Sequence, residues 1–369
     1  MTSTAEERAG YLLLSLLQAR TGASLTRRLA GEPPGRWLTL PPPELEREYG
    51  VSAKAAREFA RARETFEAET MLRELAGRGI STLTLADEGY PEALRRIPDP
   101  PPALFVDGRL PEGEGVAVVG SRKPSPGGLE TARRLGRALA ERGVCVISGL
   151  ALGIDAAAHE GALAAGGATV GVLGCGIDVV YPRGNGRLFA EVRRSGGIVS
   201  EYYLGEPPLA WRFPARNRII AGLARVVVVV EAAERSGALI TARHALESGR
   251  DVWAVPGPLG YPGCRGSNRL LADGAGVLWD VGEFLESVAP GRGTREIPPE
   301  DSVSPLPAGL PDREAAVLGA LGFEPASADE VARRCGLAMG QVLSALSMLE
   351  LKGYAARAAG GGFVRRASL

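Results

Sequence analysis

Between residues 116 and 288 the chain repeats one pattern: a short apolar run that closes on a polar or glycine turn and leads into a helical stretch. The runs are Val116–Val119, Val144–Ile147, Thr169–Leu173, Ile198–Ser200, Val226–Val230, Val252–Val255 and Val277–Trp279. Runs this short, apolar on both faces, suit strands covered on both sides. Their alternation with helices predicts an α/β fold with a doubly wound, mostly parallel, Rossmann-like sheet. Ligands on such sheets bind beyond the carboxyl ends of the strands.

The first of these ends reads Val119-Gly120-Ser121-Arg122-Lys123-Pro124-Ser125-Pro126. Ser125 followed by Pro126 is a helix N-cap with a pre-set first helical residue. Backbone N–H groups at such a turn favour an anion, and Arg122 and Lys123 add charge beside it. A phosphate is the expected guest.

Four more strand ends carry polar or glycine turns. They are Ser148–Asp155, with His159 one turn further on; Gly174–Asp178, running on to Tyr181-Pro182-Arg183-Gly184-Asn185; Ser200-Glu201, followed by Trp211–Arg218; and Glu231, followed by Ser236–Thr241. Each glycine turn alone is weak evidence, because glycine serves turns for backbone reasons. Together they form a rim of anion-accepting turns. Arg212, Arg216 and Arg218 stand within seven residues beside Trp211 and Phe213, with no acid among them. Cations that hold phosphates, next to rings that stack on bases, are the chemistry of single-strand binding. The opposing reading buries Trp211 and Phe213 in a core and pairs the arginines with Glu201 and Glu231.

Other chemistries find little support. Asp155 and His159 could act as acid and base, but the sole other histidine, His244, lies elsewhere, and no convergent nucleophile accompanies them. Asp155 is expected to orient the Ser148–Gly153 loop and His159 to bond locally. No Walker lysine and no complete G-x-G-x-x-G fingerprint is present, and no acid follows Ile147 to hold a ribose. No cofactor, metal or catalytic residue is expected. The four cysteines match neither a metal set nor a disulfide framework. Net charge is zero, so nucleic-acid binding must come from local patches. Only three of the 43 cationic residues are lysines (Lys54, Lys123, Lys352), which makes planar, bidentate contacts the rule. No secretory signal or membrane-spanning run is apparent, and a reducing cytoplasm is expected.

The flanks differ in composition. Residues 1–77 read as a helical module of the sterile-alpha-motif or helix-hairpin-helix kind, with Ser52 capping a long charged helix to about Arg73. Its charge run is either a DNA-backbone contact or a solvated face. Residues 78–115 carry two short strands and the proline-rich Pro98–Pro102, a rigid connector into the sheet domain of 78–288. Residues 289–308 form a linker. Residues 309–369, three helices and a hairpin turning at 360–362, predict a winged helix whose third helix offers only Lys352 as a cation. Protein contact and weak DNA contact are equally open there.

Taken together, Tyr90-Pro91, Pro98–Leu104, Gly120-Ser121-Arg122, Ser148–His159, Gly174–Asn185, Ser200-Glu201, Phe213–Leu223, Glu231–Thr241, Val255-Pro256-Gly257 and Gly266-Ser267-Asn268 resemble the bacterial DNA-processing protein A family, also called the Smf family. The resemblance implies a cytoplasmic, non-catalytic mediator that binds incoming single-stranded DNA in natural transformation. It also implies loading of a RecA-type recombinase, displacement of single-strand-binding protein, and a homodimer built through the sheet domain. By that likeness Arg122, Arg183 and Phe213 are pocket residues; Arg212 is not a transferable position. Adding the reading from charge, the expected single-strand site is Gly120, Ser121, Arg122, Gly149, Gly174, Arg183, Asn185, Arg212, Phe213, Arg216, Asn217 and Arg218, with duplex contact through the terminal domains a further option. The alternative is a nucleotide-binding protein or phosphoribohydrolase, similar to the lysine-decarboxylase-like group. That group's P-G-G-x-G-T-x-x-E loop would fall on Ser236–His244, which places His244 where the catalytic glutamate belongs.

Overall fold

The computed structural model describes residues 5–22, 25–28, 33–37, 39–110, 113, 115–290, 310–322, 326–357 and 362–365. Most of the expected linker, and most of the turn of the C-terminal hairpin, lie outside these residues.

Among the described residues nine strands form one sheet: β1 (Ile80–Thr84), β2 (Ala103–Gly108), β3 (Gly115–Val119), β4 (Val146–Ser148), β5 (Thr169–Val172), β6 (Gly197–Ser200), β7 (Ala224–Val229), β8 (Asp251–Ala254) and β9 (Gly276–Val277). Their order is β1-β2-β6-β5-β4-β3-β7-β8-β9. Neighbours from β6 to β9 pair in parallel, while β2 is antiparallel to both β1 and β6. All seven expected strands are present, each within about two residues of its expected bounds. Valines fill β3 and β7 because both sheet faces are covered, by two separate apolar clusters.

The chain leaves β3 towards β4 and β5, then returns to build β7 and β8 on the other side. The strand order therefore reverses between β3 and β7, which is where a doubly wound sheet opens a crevice.

The expected connector carries β1 and β2. Its two strands are hydrogen-bonded into the sheet through β2 and β6, register Phe105↔Ser200 to Gly108↔Gly197. Backbone pairing joins segments about ninety residues apart, and strand periodicity alone does not reveal a partner.

The N-terminal module is helical as expected, and Ser52 caps its helix by accepting from the Ala55 N–H at 3.3 Å. The long charged helix, however, stops at Glu64 and a separate helix begins at Ala68. The break carries no Gly or Pro. It lets Phe59 and Ala62 pack within the module while Met71 and Leu75 join the apolar cluster against β2 and β6.

The C-terminal unit has helices Asp312–Ala320, Ala328–Cys335 and Met339–Leu351 and a two-stranded ribbon of β10 (Ala355–Arg357) with β11 (Phe363–Arg365), the arrangement of a winged helix. Ser327 and Glu330 form a capping box at the second helix. Leu343, 45% exposed, and Leu351 lie on the outside of the third helix. Lys352 is tied to Glu314 at 2.8 Å.

Candidate nucleic-acid interface

At the switch point a cavity of about 670 Å³ opens beyond the carboxyl ends of β3, β4 and β7. Gly120, Ser121, Arg122, Phe213, Arg216 and Asn217 all line it, so six expected site residues meet there. The Arg122 guanidinium carbon lies 5.5 Å from the centre of the Phe213 ring, and that ring sits 5.3 Å from Tyr181, tilted by 34°. Arg122 and Tyr181 are exposed and Phe213 is half-buried. The result is a cation and two rings at one mouth.

The Phe213 ring is set by what lies beneath it. A Cβ on Gly174 would come within 3.0 Å of Phe213 Cδ1, so the absence of a side chain at 174 is what seats the ring. Gly149 has the same relation to Arg216: a Cβ there would approach the guanidinium to 2.5 Å. Both glycines act through close packing, and neither lines the cavity.

The backbone donors of Ser121, Ser125, Gly128 and Gly149 are engaged internally. Glu231, at the end of β7, accepts from the Ser125 N–H at 3.1 Å and from Ser125 Oγ at 2.7 Å, and its own carbonyl accepts from the Ser121 N–H at 2.7 Å. Ser125 Oγ in turn accepts from the Gly128 N–H, capping the helix Pro126–Glu141. The Gly149 N–H is taken by Asp155 Oδ2 at 3.0 Å. An internal carboxylate thus occupies the helix N-terminus that was expected to receive a phosphate, because that end attracts any anion.

The arginine cluster divides. Arg216 is 4% exposed and donates to the carbonyls of Gly149, at 2.9 Å, and Val172. Burial pulls its guanidinium down to about 10, partly offset by Asp155 and reinforced by Arg122. It forms the cavity floor. Arg212 and Arg218 do not reach the cavity, which corrects the expectation that they supply charge to it. Arg218 makes a two-pronged pair with Glu201, 2.7 Å on each arm, and its Nε donates to the Asp99 carbonyl at 2.9 Å. Burial works against its charge, but Glu201 outweighs this and holds the guanidinium above its ordinary value. Arg212 is buried against the ring of Tyr202 at 4.5 Å, bonds Glu206 at 2.7 Å, and reaches the Ala19 carbonyl of the N-terminal module at 2.8 Å. Both sit on the side of helix Arg212–Leu223 that faces protein, each one position from a residue that faces the cavity, Phe213 and Asn217.

Asn217 donates to the Gly237 carbonyl at 3.2 Å. Asn185 donates to the Leu150 carbonyl at 2.9 Å, which moors the loop that carries Tyr181 and Arg183 to the loop after β4. Arg183 is exposed on that loop, outside the cavity lining.

Tyr181, read in the sequence only as part of its loop, and Arg235 also line the cavity and were not among the expected site residues. Tyr181 sits two residues before Arg183, the same pairing of aromatic and arginine that drew attention to Phe213. Arg235 immediately precedes Ser236-Gly237 in the loop after β7.

Asp155 and His159 serve the interior. Asp155 is buried, its carboxyl raised by desolvation, and it orients the loop through Gly149. His159 Nδ1 lies 2.7 Å from Thr169 Oγ1, and burial together with nearby Arg216 lowers the imidazole to about 3. Among the described residues no group of acids, cysteines and histidines could hold a metal, and no helix is long and apolar enough to cross a membrane.

Comparison with known proteins fits this geometry. A family model described as DNA recombination-mediator protein A matches residues 81–289, and one described as the DprA winged helix domain matches residues 299–361. Protein Smf of Escherichia coli (strain K12) is 45% identical over 284 residues, covering 75% of each chain. DNA processing protein DprA of Streptococcus pneumoniae (strain ATCC BAA-255 / R6) is 45% identical over 199 residues, 53% of this chain and 70% of that one. The X-ray structure of the pneumococcal protein matches with a TM-score of 0.64 at 35% identity, covering 77% of this chain and 98% of its own. The Helicobacter pylori protein, whose structure concerns its single-stranded DNA binding mode, matches at 0.52 and 32%, covering 57% and 95%. The chain belongs to the DNA recombination-mediator protein A (DprA/Smf) family.

Proposed function

We propose that the cavity at the β3–β7 switch point grips single-stranded DNA, with Arg122 holding a phosphate while Phe213 and Tyr181 stack on bases. The observation that carries this reading is the Arg122–Phe213–Tyr181 assembly at the cavity mouth. A cation beside two partly exposed rings matches what a single strand offers, which is charge along its backbone and flat bases to one side. Arg183 and Arg235 are exposed nearby and make no ion pair among the described residues. Asn217 adds an amide to the lining. Sequence preference is low, because phosphate contacts carry no base information.

In this reading the protein binds and does not catalyse. It takes incoming single strands in the cytoplasm during natural transformation, displaces single-strand-binding protein, and loads a RecA-type recombinase, working as a homodimer. These partners rest on the family likeness. The hydrolase alternative is not favoured: His244, half-buried against Glu247 at 3.3 Å, stands where that group's glutamate belongs. Duplex contact by the third helix of the winged unit has little charge behind it, since that helix exposes leucines and Lys352 is paired.

The test is binding of an oligothymidine to wild type and Arg122→Ala across a salt series. Loss of one phosphate contact lowers the log–log slope by about 0.7. Unchanged affinity and slope would remove Arg122 from the site. Release of free base from nucleoside monophosphates would overturn the binding-protein reading.

A further inference from the structure

We infer that the strand leaves the cavity along the outer face of helix Gly186–Ser195, over a row of arginines that lengthens the binding site beyond the switch point. This rests on the single-strand reading of the cavity.

The helix follows directly on the short turn Arg183–Asn185, so it begins beside the loop that carries Tyr181. Arg187 and Arg194 are seven residues apart, two turns of helix, and so share a face. Both line a second open cleft of about 590 Å³, together with Arg193 and Gly108. From Arg183 to Arg194 the row spans about 16 Å at the helical rise, room for several nucleotides.

Helix stability favours Arg194, a cation in the last turn, but does not account for Arg187. A first turn favours acids, because the helix dipole is positive there; this helix has none in its first turn and carries Arg187 instead. Arg187 pairs with Glu191 at 2.9 Å, but the cation lies N-terminal to the acid, the weaker of the two orientations. The pair is also open to water, with the Arg187 side chain 93% exposed, so a phosphate can replace the carboxylate at little cost. Arg194 is exposed and makes no ion pair among the described residues. Arg193 is the exception. Its Nε is bound by Asp107 at 2.7 Å and anchors the helix to β2, so it is not counted in the row.

The test uses the full chain, a thymidine hexamer that the cavity alone can hold, and an oligothymidine about twenty nucleotides long. The charge reversal Arg187→Glu with Arg194→Glu should leave hexamer affinity unchanged, which also shows that the fold is intact. It should weaken the long oligomer roughly tenfold or more at low salt and lower its slope by about 1.4, two contacts' worth. The pair Arg187→Lys with Arg194→Lys should bind the long oligomer nearly as wild type does. Equal affinity of wild type and the reversed variant for the long oligomer would overturn the inference. So would loss of hexamer and long-oligomer binding by the same factor. If wild type binds neither oligomer, the cavity reading itself fails; if Arg122→Ala weakens both while the reversal weakens neither, only the exit row fails.

Discussion

Ser125 and Glu231, more than a hundred residues apart, close the switch point on itself: Ser125 Oγ donates to the Glu231 carboxylate at 2.7 Å and the Ser125 N–H at 3.1 Å. The carboxylate sits where a doubly wound sheet commonly receives a phosphate. On the proposed reading, side chains such as Arg122 therefore meet the ligand phosphates. Replacing Glu231 with Ala leaves the Ser125 N–H without its partner and should cost about 2 kcal/mol. The vacated site should then take inorganic phosphate, so millimolar phosphate should raise the melting temperature of Glu231→Ala more than that of wild type. Equal shifts would show that the helix end is not an anion site.

The two arginines at 122 and 218 should separate binding from stability. Arg218→Ala strands Glu201 as a buried, unpaired carboxylate and should destabilise the fold by about 3–5 kcal/mol in urea unfolding. Arg122→Ala, at an exposed position, should leave the unfolding midpoint within about 0.5 kcal/mol of wild type while DNA affinity falls. A destabilised Arg122→Ala would tie that side chain to the fold.

Stacking at Phe213 is testable from above and below. Phe213→Ala should lose about 1–3 kcal/mol of single-strand affinity, and Phe213→Tyr should retain most of it. Gly174→Ala crowds the ring from beneath, its new methyl 3.0 Å from Cδ1. It should weaken binding by shifting the ring, with the Arg122 contribution to the salt slope preserved. Full affinity in Gly174→Ala would mean that ring placement does not matter.

His159 makes stability depend on pH. Its imidazole titrates near 3 when folded and near its ordinary value of about 6.5 when unfolded. Between those values the unfolded chain binds the extra proton, so stability falls as pH drops below about 6.5, at up to about 1.4 kcal/mol per pH unit for this one group. Asp155, whose carboxyl is raised by burial, bends the curve the opposite way at the acid end. Urea unfolding of wild type and His159→Gln between pH 7 and pH 5 isolates the imidazole. Parallel curves would show that His159 is not the titrating group.

Much of this architecture was legible in residue order. Alternating apolar runs placed the strands, Ser125-Pro126 and Ser52 marked helix starts, and six of the expected site residues share one cavity. The arginine cluster was the least legible part. Arg212, Arg216, Asn217 and Arg218 look alike as a polar run in sequence, yet within one helix turn and a half they meet the N-terminal module, the cavity floor, the cavity wall and Glu201 in turn. The alternative pairing with acids holds for Arg218. Tyr181 was hidden for the converse reason, since its stacking partner Phe213 arrives from a helix that begins some thirty residues later.

By itself, the sequence determined the parallel sheet, the helical and winged flanks, and the family. Local periodicity and turn chemistry act over a few residues and can be read there. Only the tertiary structure decided which anion occupies the helix end after β3 and which arginines face solvent. Those outcomes depend on burial and on charges brought together from distant segments: Glu231 holds the helix end at Ser125 and Glu201 holds Arg218 away from the cavity, because a carboxylate fixed by the fold has already lost the freedom that a free anion would still have to give up.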